Sequence, residues 1–263
     1  MQDAAAVIVA MAEEALAASE RPVVIGLCGA QGSGKSTAAA LAVELLQAQG
    51  IVTGLLSLDD LYLGKAERIR LAAAVHSLLR TRGVPGTHDV ALGLDLFDRI
   101  DRGDTPQLPR FEKATDDRTP VASWPTVPAG MRVLVFEGWC VGAKPQPAAA
   151  LAEPVNALEA VDDRDGRWRG HVNDQLAGSY QALFARIDRL VLLRAPDFGV
   201  VRRWRTEQEH ALRAAHGGGM DDREIDRFVQ HYERLTRHVM AEMPDRAHRT
   251  IHLDPYRMIT HIN

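Results

Sequence analysis

Apolar residues fall in short blocks, and the period changes from one block to the next. "RPVVIGLCG" (21–29) is a β-branched run closing on glycine and reads as a strand buried on both faces. "GKSTAAALAVELLQAQG" (34–50) has the Ala- and Leu-rich texture of a helix, ended by Gly50. "IVTGLLSLDD" (51–60) is a second strand running into two acids. "KAERIRLAAAVHSLLRTRG" (65–83) predicts one helix stopped by Gly83, and "VALGLDLFDRIDRG" (90–103) another, capped by Asp89. Further strands are expected at "MRVLVFEGW" (131–139), "RIDRLVLLR" (186–194) and "HRTIHLD" (248–254), the last closing the series. Helices are predicted over about 3–19, 197–215 and 221–243, with Asp221 and Glu224 at capping-box spacing.

Strands that alternate with helices imply βαβ units and a mostly parallel central sheet flanked by helices, an α/β fold. Between 103 and 130 the pattern lapses. Pro106, Pro109, Pro120, Pro125 and Pro128 make this segment irregular. A long irregular segment inside a compact fold is usually functional or disordered.

Composition narrows the class. The chain has 263 residues, 46% hydrophobic and 25% charged, which fits one domain over 1–263. Its net charge of −4 argues against nucleic-acid and membrane-surface partners, which want a basic excess. Cys28 and Cys140 are isolated, so they read as buried small residues in a reducing cytoplasm rather than as a disulfide or zinc site. "AAAVIVAMA" follows Asp3 and precedes Glu13 and Glu14, which suits an amphipathic helix and not a secretion signal or a membrane span. No role is assigned to His76, His231 or His238.

The chemistry is announced by "GAQGSGKS", residues 29–36, which fits G-x-x-x-x-G-K-[ST] between a strand and a helix. In such a P-loop, glycines let backbone amides curl round phosphate oxygens at a helix N-terminus. Gly29, Ala30, Gln31, Gly32, Ser33, Gly34, Lys35, Ser36 and Thr37 are therefore the expected nucleotide-binding residues of a P-loop NTPase fold, with ATP as ligand. Lys35 is expected on the β- and γ-phosphates and Ser36 on Mg²⁺. At the next strand end, Asp59 is the expected general base, while Asp60 faces the other way as a cap or solvated acid. Glu137, after four apolar strand residues, stands at the Walker B position as a second Mg²⁺ holder, directly or through water. Aspartate is usual there.

No N-K-x-D or LSGGQ motif is present, so a small-molecule kinase fits better than a switch or a transporter. Such an enzyme needs a lid that excludes water. Residues 195–222 suit a helical lid, with Arg194, Arg202, Arg203, Arg205 and Arg213 before a Gly217–Gly219 hinge. Arg202 and Arg205 are the preferred clamps on the transferred phosphoryl group. Pro255–Arg257, after the last strand, are candidates for the adenine.

"GAQGSGKST", "SLDDLY", "RGVPGTHD", "PRFEKATDDRTP", "FEGWCVG", "DGRWRGHVN" and "WRTEQE" occur here in that order. In this the chain resembles the D-glycerate 3-kinase family over roughly residues 20–255. That family belongs with uridine kinase, phosphoribulokinase and bacterial pantothenate kinase. The resemblance implies ATP-dependent phosphorylation of D-glycerate at its 3-hydroxyl. It also implies that the acid at the D-x-[FL]-Y position, here Asp59, is the base; Leu61 stands where the wider group has Phe.

An acid alcohol needs a cation for its carboxylate and partners for its hydroxyls. Lys113 and Arg118 are the expected carboxylate partners, and Asp117 or His88 can take a hydroxyl. Arg82 and Asp89 flank the "GVPGTH" run, and Phe111 is the aromatic of the stretch. These residues belong to an acceptor-site insertion over about 82–130, with a further ordered segment implied near 156–176. A nucleoside, pantothenate or another sugar-like alcohol is the alternative acceptor. A nucleotide-dependent regulatory protein without acceptor is the third reading.

Overall fold

The computed structural model describes residues 1–127, 129–216 and 219–263, with 212, 215 and 216 described by backbone alone. The chain opens with α1 (Gln2–Ala17), β1 (Val23–Gly29), α2 (Lys35–Ala48) and β2 (Thr53–Ser57). A 3-10 turn at Leu58–Leu61 leads to α3 (Lys65–Ala74) and α4 (Val90–Asp101). The hairpin of β3 (Phe111–Glu112) and β4 (Asp117–Arg118) precedes β5 (Val133–Gly138). Next come α5 (Ala157–Asp162), α6 (Arg167–Ala177), α7 (Ser179–Phe184) and β6 (Arg189–Arg194). The chain closes with α8 (Phe198–His216), α9 (Asp222–Glu242), β7 (Arg249–Leu253) and β8 (Ile259–Ile262).

Six strands form one sheet in the order β2-β5-β1-β6-β7-β8. Every neighbouring pair is parallel except β7 with β8. β1 and β5 are buried at every position, as continuous apolar runs are when helices cover both faces. The period of two sorts their side chains. Val23, Ile25, Leu27, Val133, Val135, Val191 and Leu193 join one core with α1, α2 and α8. Val24, Cys28, Leu134, Phe136, Leu190 and Leu192 join the other with α4, α7 and α9. Each fully buried aliphatic side chain of this kind stabilises the fold by about 1.5–3 kcal/mol.

The expected caps are present. Asp89 Oδ1 accepts from the Leu92 amide at 3.0 Å, and Asp221 and Glu224 close a reciprocal box at 2.8 Å each way. Three expectations are corrected. The helix expected through Gly83 ends at Ala74, because His76 Nδ1 accepts from the Leu78 amide and starts a separate 3-10 turn at Ser77–Arg80. "HRTIHLD" is not the last strand: β8 folds back antiparallel, and Arg257 takes a left-handed φ of 66° in the connection. Among the described residues of 103–130, a 3-10 turn at Val121–Ser123 and the hairpin of β3 and β4 interrupt the expected irregular stretch.

The segment 156–184 holds three helices, fastened by ion pairs. Arg169 binds Asp163 at 2.9 Å, and Arg234 binds Glu159 at 2.6 Å, all four side chains being buried. No described helix is long and apolar enough to cross a membrane.

Candidate active site

A cavity of about 390 Å³ opens at the C-terminal ends of β1, β2 and β5, where parallel sheets of this kind place ligands. Its floor is the loop between β1 and α2. Gln31, Gly32, Gly34, Lys35, Ser36 and Thr37 line it, while Ala30 and Ser33 are buried behind them. Gly32 has φ 74°, and a Cβ there would lie 2.7 Å from Trp204 Cβ, so the loop needs glycine for both conformation and space. Trp204 is fully buried. The first half of α8 is thus clamped to the phosphate loop through Phe198, Val201 and Trp204. Of the expected hinge, Gly217 and Gly218 lie outside the described residues, and Gly219 has φ 114°.

Two strand ends bring acids to this floor. Glu137, at the end of β5, is buried; its Oε1 accepts from Ser36 Oγ at 3.0 Å. Its Oε2 is buried without a partner among the described residues. A serine hydroxyl beside a carboxylate with one oxygen unused is a hard-oxygen pair that fits Mg²⁺, which takes few protein ligands alongside phosphates and water.

Asp59 sits in the 3-10 turn after β2, where Ser57 Oγ accepts from its amide at 3.3 Å. Its side chain faces the cavity and stays 30% exposed. Tyr62 Oη donates to Oδ1 at 2.8 Å, and Lys113 Nζ donates to Oδ2 at 2.8 Å. Burial pushes this carboxyl up, but the Lys113 and Lys35 ammonium groups outweigh it and hold Asp59 at about 2.

Asp60 turns the other way. It accepts from the Phe111 amide at 3.0 Å and pairs with Arg110 at 3.3 Å. The neighbouring acids therefore divide the work: Asp59 meets the cavity, and Asp60 ties down the hairpin of β3 and β4. The sequence reading of Asp60 as a cap or solvated acid missed this second anchor, because its partners are some fifty positions away.

The other expected acceptor residues separate into two groups. Arg82 and Lys113 line the cavity together with Asp59. Arg82 pairs with Asp116, and its guanidinium lies over the Phe111 ring at 5.6 Å. Phe111 is buried behind that surface, edge-on to Tyr62 at 5.3 Å. His88 is also buried, stacked on Tyr62 at 4.6 Å. Tyr180 Oη accepts from the Gly86 amide at 2.9 Å and lies 2.6 Å from His88 Nδ1. Burial lowers the His88 pKa to about 3, keeping the ring neutral. Arg118 stands outside the cavity lining, paired with Asp89 at 2.8 Å and Glu67 at 3.2 Å. Asp117 is exposed and accepts from the Arg118 amide at 2.9 Å.

The two arginines expected as lid clamps also differ. Arg205 lines the cavity, packed over Phe228 at 5.3 Å and paired with Glu209 at 2.6 Å. Arg202 is exposed, points to Asp226 at 2.7 Å, and stands outside the cavity. Tyr62, Gln208, Phe228 and Tyr232 also line it without having been singled out. Tyr62 stands three residues after Asp59, as the tyrosine of the D-x-[FL]-Y pattern; Phe228 and Tyr232 lie one turn apart on α9. Arg257 lines the cavity too. Its Nε donates to the Gly32 carbonyl at 2.7 Å, and its guanidinium lies 5.1 Å over Trp204, so it links the phosphate loop to α8.

No family model matches the chain. It is 37% identical over 228 residues to mug58 of Schizosaccharomyces pombe, described as an uncharacterized kinase, covering 81% of this chain and 79% of that one. It is 32% identical over 222 residues to the chloroplastic D-glycerate 3-kinase of Arabidopsis thaliana, covering 80% of this chain and 46% of that longer one. The solved D-glycerate 3-kinase from Cryptococcus neoformans var. grubii superposes with a TM-score of 0.83 at 25% identity, over 98% of both chains.

Proposed function

The chain belongs to the family of P-loop kinases related to D-glycerate 3-kinase, and we propose that it transfers the γ-phosphoryl group of ATP to the 3-hydroxyl of D-glycerate. The observation that carries this reading is the meeting of three side chains in one cavity. A carboxylate, Asp59, stands beside two cations, Arg82 and Lys113, on the wall facing the phosphate loop. That set suits a small acceptor with an anionic group next to its hydroxyl.

In this reading the Gly32 and Gly34 turns and Lys35 hold the triphosphate. Ser36 and Glu137 would hold Mg²⁺, which would supply charge neutralisation for the phosphates. Asp59, held at Oδ1 by Tyr62, takes the proton of the attacking hydroxyl at Oδ2. Lys35 and Arg205 stabilise the charge on the transferred group. Lid motion belongs to the part of 195–222 beyond Trp204, since the first turns of α8 are core.

The test is ADP release with Mg·ATP and a panel of D-glycerate, glycerol, uridine and pantothenate. D-Glycerate alone should stimulate release strongly. Stimulation by uridine or pantothenate and none by D-glycerate would replace the acceptor, and no stimulation by any alcohol would favour a regulatory role.

A further inference from the structure

The hairpin of β3 and β4 fills the acceptor wall with its own charges. Lys113 Nζ occupies Asp59 Oδ2 at 2.8 Å, while Tyr62 Oη occupies Oδ1 at 2.8 Å. Both oxygens of the carboxylate that is to receive a proton are therefore engaged before an acceptor arrives. Three residues after Lys113, Asp116 takes a left-handed φ of 57° and binds Arg82, and Arg68 at 2.7 Å. One short turn thus presents an ammonium where the acceptor hydroxyl must come, and a carboxylate where an acceptor carboxylate would meet Arg82.

The two contacts on Asp59 differ in how easily they are exchanged. Tyr62 is 3% exposed and wedged between His88 and Phe111. The Lys113 side chain is 61% exposed and follows a two-residue strand. A largely exposed lysine pair is weak in water, so a bound anion can replace it. The same ammonium is a main reason that Asp59 sits near 2, so its departure also leaves a stronger base.

We propose that the Lys113–Asp59 ion pair is an autoinhibitory contact released by the acceptor itself: a carboxylate next to the reacting hydroxyl draws the ammonium away and frees Asp59 Oδ2. This deepens the proposed function and rests on it for the identity of the acid. In the productive step the hydroxyl proton passes to Asp59 Oδ2 and the oxygen bonds to the γ-phosphorus. The bond from that phosphorus to the β-bridging oxygen breaks, and its electron pair leaves on ADP. Water in the same place would give ADP and inorganic phosphate by the same exchange of bonds. While Lys113 covers Oδ2, that water has no base. A neutral alcohol carries no charge to draw the lysine off.

The experiment compares the full chain with its Lys113→Met variant, measuring ADP release from Mg·ATP with no acceptor. The variant should hydrolyse ATP at least about tenfold faster than the parent, a modest share of what a positioned base supplies. D-Glycerate should raise ADP release over this basal rate by a smaller factor than in the parent. The gain should vanish in the Asp59→Asn, Lys113→Met double variant. Basal hydrolysis in Lys113→Met at or below the parent's rate overturns the inference, even if the parent is a good glycerate kinase. A gain that survives in the double variant overturns it as well. A gain that needs Asp59, with a parent that D-glycerate does not stimulate, upholds the contact and removes only glycerate as the acid that opens it.

Discussion

On the phosphate side of the cavity, Gln31, Gly32 and Gly34 to Thr37 line it from one loop and the first turn of α2. On the acceptor side, the surface comes from Asp59, Tyr62, Arg82 and Lys113, and all but Tyr62 are set by a side-chain partner far along the chain. Lys113 is 54 positions from Asp59, Arg82 is 34 from Asp116, and Asp60 is 51 from Phe111. The first half is a local conformation; the second is a network of ion pairs and hydrogen bonds. A backbone cradle binds any nucleoside triphosphate, whereas a side-chain network selects what stands opposite it.

The largest effect should come from the group that joins the two halves. Asp59→Asn keeps the shape but leaves one acceptor oxygen of two and removes the base, so kcat should fall by about 10²–10⁴ while ATP affinity, read by titration, stays near normal. Equal loss of ATP binding would place Asp59 in the phosphate half instead. The next effect is on folding. At Gly83, φ is 139° and an added Cβ would lie 2.0 Å from Tyr232 Oη, which donates to the Arg82 carbonyl at 3.0 Å. Gly83→Ala should cost about 2–4 kcal/mol in denaturant unfolding, and unchanged stability would show that the acceptor wall is looser than drawn.

Smaller effects separate the two halves further. Arg82→Met should raise KM for the acceptor by about tenfold with little change in KM for ATP, the loss of one charge-assisted contact. Equal shifts for both substrates would erase the division. Among the arginines of α8, Arg205→Ala should lower kcat by about tenfold, whereas Arg202→Ala, facing Asp226, should stay within about twofold. The reverse order would show that α8 rotates before transfer.

The same contrast explains what was legible in the sequence. Residues 29–36 could be read because the chemistry is local: one strand, one glycine loop and one helix fix it. Buried strands were equally plain, since "VVIGLCG" is apolar throughout and "VLVF" is apolar up to Glu137. The strand β8 escaped notice because "ITHI" is four residues long and mostly exposed. The hairpin was visible only as charge. Lys113 and Arg118 look alike in "PRFEKATDDRTP", yet one lines the cavity and the other is paired with Asp89 and Glu67. No periodicity distinguishes them, because their partners are separated from them by 29 to 54 positions. Tyr62, by contrast, donates to Asp59 from only three positions away, so that contact is local.

The most direct check on the central claim is the product itself. Incubating the full chain with Mg·ATP and D-glycerate and recording coupled ³¹P and ¹H spectra should show phosphate on the 3-oxygen, formed in step with ADP. ADP formed with inorganic phosphate only, or phosphate on the 2-oxygen, would contradict the account.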